Sequence, residues 1–364
     1  MKMMRIWYFL KYQIMKILTI GDPHFQMNNL DEVKSFVKKC LQFAEKADIE
    51  GIVVLGDVLH DHERVHSTAL NVAVDFLNKL SEIAHTWVLV GNHDLINNSQ
   101  FLTSNHWMNA LKLNPNITVV DDIVSETIDG KSVLMAPFVP PGRFVEALET
   151  KLSTDEWQSS DLVFAHQEFK GVKMGSIVSD IGDEWDETWP FVVTGHIHKN
   201  QTPQSNVYYP GSAIQVAFGE SEMNIVALVD TETINRESIE EIDLGLQRKK
   251  IVYSDPSNLR KIAKTIDPGG AHENHKLKVC IDGTKEEFKA LKKTAAYKKL
   301  QKKGVKIVHK RKRATINAEN MATVNAIAAS GTQSNNFSDI LNSIVDKSDS
   351  AELRVAYSNI KNNI

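Results

Sequence analysis

The sequence predicts a layered α/β domain with buried strands. Two observations predict it. Over residues 15–113, short apolar runs alternate with amphipathic helical segments, and three runs end in the same way: ILTIGDPH, IVVLGDVLH and WVLVGNHD. Beyond about residue 113 the rhythm changes to short strands separated by loops, which implies a second sheet packed on the first.

Taken in order, residues 16–20, 52–55 and 87–90 are apolar and read as strands buried on both faces. Residues 30–47 and 67–84 have helical periodicity; in the second, Leu70, Val74, Leu77 and Leu80 share a stripe. Strands follow at 117–120, 132–135, 162–165, 191–194, 207–209 and 225–229. A new unit begins near residue 246, with strand segments at 276–281 and 305–308 around a helix at 285–300. Residues 317–336 are rich in Ala, Ser, Asn and Thr and read as a helix fragment and linker. Phe337, Ile340, Leu341, Ile344 and Val345 then recover one apolar helical face, with Asn336 placed to cap it. The expected organisation is an extension at 1–14, a catalytic body at 15–245, a small α+β module at 246–315, a linker at 316–335 and terminal helices at 336–364.

Composition narrows the classes. A chain of 364 residues with 42% apolar and 24% charged residues is ordinary for a globular protein, which argues against a fibrous or disordered one. Cys40 and Cys280 form no CxxC pair, so neither a disulfide framework nor a thiolate zinc site is indicated. No apolar run spans a membrane. The first fourteen residues carry no small-residue cleavage site and read as an extension, and a cytoplasmic setting is expected. Net charge is −4, yet residues 289–313 hold twelve basic residues and no acidic one. That segregation points to a polyanionic partner at one end.

The chemistry lies at the strand ends. Ligands in open α/β sheets gather at the carboxyl ends of strands, and Gly21, Gly56 and Gly91 let the chain turn there. This places Asp22, His24, Asp57 and Asn92 along one rim. Two further strand ends add His166 (LVFAHQE) and the pair His196 and His198 (VVTGHIHKN). Two carboxylates, one amide oxygen and four imidazoles exceed the four ligands of one tetrahedral zinc. Seven donors suit two divalent ions bridged by a carboxylate, with manganese, iron or zinc compatible. Two such ions clamp the attacking and leaving oxygens of a phosphoryl displacement and make hydroxide at neutral pH. His93, beside Asn92, is the candidate for protonating the leaving oxygen, with Asp94 to orient it and His60 as a second polar group near the phosphate. His62 and His66 read as solvated; His85, His106, His272, His275 and His309 read as core or surface residues.

The order Asp-x-His, Gly-Asp, Gly-Asn-His-Asp, His, Gly-His-x-His resembles the calcineurin-like metallophosphoesterase superfamily over about residues 15–230. The resemblance implies a four-layer β-sandwich flanked by helices. It implies that Asp22, His24, Asp57 and His198 hold one metal, that Asp57, Asn92, His166 and His196 hold the other, and that His93 is the catalytic histidine. GDVLH ending at His60 and the segment YPGSAIQVAFGE are similar to the double-strand-break repair nuclease branch, the SbcD-like enzymes and the related phage recombination endonuclease subunit. That narrower likeness implies two manganese ions, DNA as substrate, a capping domain, a homodimer formed by helices at 67–84 and 98–111, and a C-terminal helical motif that docks on a coiled-coil ABC-type ATPase. Two other readings stay open: a phosphoesterase acting on nucleotides, cyclic diesters or phosphoproteins, and a non-catalytic scaffold.

Overall fold

The computed structural model describes residues 16–62, 64–175, 177–265 and 275–311, with the single residue 345. The extension at 1–14, the linker at 316–335 and the terminal helices at 336–364 lie outside them, residue 345 apart.

Two six-stranded sheets form the body. The first runs Glu240–Ile242, Val226–Asp230, Lys16–Ile20, Gly51–Val54, His85–Leu89, Ile117–Val120. The second runs Gln201–Gln204, Val207–Tyr209, Phe191–Thr194, Leu162–Ala165, Lys131–Ala136, Val124–Ile128. The last four strands of the first sheet pair in parallel, as do the four central strands from Val207–Tyr209 to Lys131–Ala136 in the second. Their carboxyl ends therefore share one edge of each sheet.

The near-continuous apolar runs follow from layering. In the first strand Ile17 faces the second sheet, while Leu18 and Ile20 face a helical layer; Val53 and Ile52 divide in the same way. Successive side chains alternate faces, and here both faces are buried. Helix Leu30–Ala44 covers the first sheet with Val33, Phe36, Cys40 and Ala44, and helix Ser67–Ile83 with Ala73, Phe76, Leu77 and Leu80. Phe25, Phe36 and Phe76 meet at ring centroid separations of 5.5–6.3 Å, and Phe25 directly follows His24. On the other side, helices Phe144–Glu149 and Thr154–Gln158 cover the second sheet through Phe144, Ala147, Leu148 and Trp157. The layers are helix, sheet, sheet, helix.

The structure departs from the sequence reading in several places. The stretches expected at 117–120 and 225–229 join the first sheet, not the second; Val226–Asp230 returns antiparallel to Lys16–Ile20. The expected helix over 98–111 is loop until Trp107–Leu113, a 3-10 segment capped by His106. The helix expected over 285–300 is two, Lys285–Lys292 and Ala295–Lys302, because Thr294 turns out and caps the second.

The third sheet contains Arg248–Ser254, His275–Gly283 and Lys306–Arg311. Arg248–Ser254 was not anticipated as a strand. It pairs in parallel with His275–Gly283, setting Ile251 opposite Lys278 and Tyr253 opposite Cys280. Leu277, Val279 and Ile281 face a helical layer that supplies Leu259, Leu291, Tyr297 and Leu300. Buried Lys249 ties the unit to the body: its Nζ donates to the carbonyls of Gln215 at 2.6 Å and Val216 at 2.8 Å and lies 3.7 Å from Glu32.

Candidate metal centre

All seven expected ligands converge where the carboxyl edges of the two sheets meet. Asp22 and His24 follow Lys16–Ile20, Asp57 follows Gly51–Val54, and Asn92 follows His85–Leu89. His166 follows Leu162–Ala165, and His196 and His198 follow Phe191–Thr194. The turn at each end is tight. Asp22, His24, Asp57 and His196 hold left-handed backbone, with φ of 36°, 44°, 47° and 78°. Such conformations are strained for side-chain-bearing residues and cluster at functional sites. Two glycines make room: a Cβ at Gly91 would fall on the Asp57 amide and carboxylate, and one at Gly56 would lie 2.6 Å from His166 Nδ1.

Three groups of possible ligand atoms each lie within 4.8 Å of one another: Asp22 with His24 and Asp57, Asp57 with His166 and His196, and His24 with His60 and His93; Asp57 belongs to the first two. Asn92 Oδ1 faces His166 Nε2 at 3.1 Å and His196 Nδ1 at 2.8 Å. His24 Nε2 faces His198 Nε2 at 2.7 Å. Backbone amides fix both carboxylates: His93 N donates to Asp57 and His196 N donates to Asp22, each at 2.8 Å.

This set fits divalent cations. Asp22 and Asp57 are buried, and among the described residues no lysine or arginine pairs with either. The Oδ2 of Asp22 is buried without a hydrogen-bond partner. Buried carboxylates without a fixed cation are costly. Burial pushes the Asp22 carboxyl up, and burial pushes His24 well below the ordinary imidazole range, leaving it a neutral donor. Burial opposes charge on Asp57 too, but the charge and hydrogen bond of His166 outweigh it and hold the carboxylate ionised. His166 Nδ1 is 2.6 Å from the Leu55 carbonyl, which turns Nε2 to the site.

The remaining candidates divide. His93 Nδ1 is 2.5 Å from the His60 carbonyl, which directs Nε2 away from the loop. Its ring stacks on His60 at 5.4 Å and on His62 at 4.4 Å between centroids. His60 reaches the site, with Nδ1 3.4 Å from His24 Nδ1. Among the described residues Asp94 makes no hydrogen bond to the His93 ring. It accepts hydrogen bonds from the Gly91 amide at 3.0 Å and Trp107 Nε1 at 2.9 Å, with longer ones from the amides of Val58 and Leu59, and so ties together the loops after two strands. His62, read from the sequence as solvated, belongs to the imidazole stack, whereas His66 is an exposed helix cap. His85, His106 and His309 bond to Thr118, Asp121 and the Gly283 carbonyl, outside the site.

The sequence reading missed two carboxylates behind the histidines. Glu220 lies 3.2 Å from His198 Nδ1, and buried Glu168 lies 3.9 Å from His196 Nε2 while accepting from the Ser179 hydroxyl. Carboxylates behind metal-binding imidazoles fix ring orientation and raise basicity. Glu220 ends the segment YPGSAIQVAFGE, and Glu168 ends HQE, so proximity in sequence was the available signal.

A family model described as calcineurin-like phosphoesterase matches residues 15–200, just over half of the chain and a span containing every one of these ligands. The chain belongs to the calcineurin-like phosphoesterases. Two viral proteins with provisional phosphoesterase names share much more of this phosphoesterase's length. The protein 078R of Invertebrate iridescent virus 3 is 41% identical over 343 residues, 93% of this chain and 94% of its own. The protein 244L of Invertebrate iridescent virus 6 is 45% identical over 286 residues, 76% of this chain and 97% of its own. Among solved structures the phosphoesterase is similar to YfcE, a phosphoesterase from E. coli, at 12% identity, 63% coverage of this chain and 97% of that one, with a TM-score of 0.31. The protein of unknown function AQ665 from Aquifex aeolicus is 18% identical, covering 42% of this chain and 80% of that one, with a TM-score of 0.27. As a metallophosphoesterase the chain is a hydrolase of a family that uses divalent metals, and the Asp and His groups form a candidate site for them. No helix among the described residues is long and apolar enough to cross a membrane.

Proposed function

We propose that this phosphoesterase cleaves phosphodiester bonds of DNA as the nuclease subunit of a two-component repair or recombination complex, with manganese as its metal. The observation that carries the reading is the cleft beside His93. It has a volume of about 960 Å³ and is lined by His60, Asp61, His62, Arg64, His93, Ile96, Asn97 and Asn98. Small-molecule pockets are lined mainly by apolar and aromatic side chains. Seven of its eight lining residues are polar or charged, Arg64, Asn97 and Asn98 among them, and these supply side-chain donors for a phosphate backbone.

When bound, two divalent ions polarise the phosphate and lower the pKa of water. Asp22, His24, Asp57 and His198 would hold one, and Asp57, Asn92, His166 and His196 the other. His93, held by the His60 carbonyl and stacked on the rings of His60 and His62, presents Nε2 to the departing sugar oxygen. Its Nδ1–H donates to the His60 carbonyl, so Nε2 carries a proton for the leaving oxygen only in the imidazolium form, which burial disfavours. In this reading His93→Ala lowers kcat on linear DNA with manganese by about 10²-fold or more while bound metal stays constant. Cleavage by the variant at the parent rate would sink the assignment.

The ATPase partner and the second copy enter this reading from the motif resemblance. Deleting residues 337–364 is expected to end co-purification with a coiled-coil ABC-type ATPase and to leave basal cleavage intact; retained association rejects the docking role. The second reading is a phosphoesterase for nucleotides or other small esters, since the viral relatives' names specify no polymer. Rates on DNA and on a small chromogenic diester separate the two.

A further inference from the structure

The third sheet has one face turned to its own helices and another that is not. Leu277, Val279 and Ile281 mark the helical face. Strand alternation puts Ile251 and Tyr253 on the other, opposite Lys278 and Cys280. The basic helices Lys285–Lys292 and Ala295–Lys302 therefore lie on the side of the sheet away from Tyr253. Tyr253 contributes nothing to the unit's core and is 63% exposed. Lys310 Nζ lies 4.7 Å from its ring centroid, and Lys278 Nζ lies 5.7 Å from that of Phe218.

This face is continuous with the metal centre. A Cβ built on Gly219 would touch Ile251 at 3.5 Å, and the next residue, Glu220, contacts the metal-facing His198. Tyr253 stands two residues from Ile251 on the same face, about 7 Å further along the strand. An exposed aromatic with a lysine over its ring, on a face that reaches the candidate metal centre through Ile251, Gly219 and Glu220, has the make-up of surfaces that bind single-stranded nucleic acid: bases stack on the ring and cations hold phosphates. Such binding tolerates any sequence, because every base has a π-face.

We propose that Tyr253, with Phe218, Lys278 and Lys310, forms a stacking platform that holds an unpaired strand on its way to the metals. The inference rests on the nucleic-acid reading of the substrate and adds a preference for single strands.

The test uses the full chain and fluorescence anisotropy with labelled oligo-dT in EDTA, so that no cleavage intervenes. Tyr253→Ala is expected to weaken oligo-dT binding by about tenfold, the loss of one stacked base, while Tyr253→Trp binds like the parent. Binding of a blunt duplex of equal length stays unchanged, and so does manganese-dependent hydrolysis of bis(4-nitrophenyl) phosphate. The platform is overturned if Tyr253→Ala binds oligo-dT like the parent, or loses duplex binding in equal measure. If the parent hydrolyses the small diester but neither binds nor cleaves DNA, the nucleic-acid reading itself fails and takes the platform with it. If the parent cleaves DNA and the alanine variant binds unchanged, only the platform falls.

Discussion

The metal rim and the third-sheet unit are built by opposite means. At the rim, five of the seven candidate donors are atoms on buried residues, and four of the seven sit on backbone that few side chains tolerate. In the third-sheet unit, lysines lie exposed on short helices over a small apolar core. A site that needs exact atoms leaves a motif in the sequence. A surface that needs only charge and a flat ring leaves a composition.

The two regions can be set against each other by experiment. Asp57 belongs to two of the three groups of possible ligand atoms, so Asp57→Ala should lower hydrolysis of DNA and of a small diester alike, by roughly 10³-fold or more, with bound metal lost in parallel. A variant that keeps full metal content would break the picture of a shared carboxylate. Leu300→Ala should act only on the other region. Leu300 is fully buried there, and its truncation costs about 2–5 kcal/mol. DNA cleavage should fall while small-diester hydrolysis persists; equal loss of both would show the unit to be part of the catalytic body. The smallest effect belongs to Glu168, which supports His196 from behind. Glu168→Gln should weaken metal binding by about tenfold in a manganese titration, with the melting temperature little changed. Unaltered affinity would make Glu168 a structural partner of Ser179 alone.

Legibility in the sequence followed the same division. The strands that carry ligands are buried on both faces, so their apolar runs and terminal Gly-Asp or Gly-Asn stood out. Val124–Ile128, Gln201–Gln204 and Glu240–Ile242 did not, because they are sheet edges, half-exposed and polar, and become strands only through their neighbours. Arg248–Ser254 was obscured by its three leading cations, one of which, Lys249, is buried by bonds to carbonyls more than thirty residues away in sequence. The seven residues that converge at the rim could be read from spacing because each follows a strand. The partners of those ligands could not. That His93 leans on the His60 carbonyl and Asp94 on Trp107 depends on where two loops cross, and no local pattern encodes it.

The ligands run from Asp22 to His198 and come from both sheets, so the centre cannot assemble before the body closes. Metal binding is thereby a reporter of global folding. An ion that binds only the native state adds about 2.7 kcal/mol of stability at a hundredfold excess over its Kd. Adding divalent metal should raise the melting temperature of the whole body in one cooperative step, and a chelator should make every strand that ends at the rim easier to unfold at once.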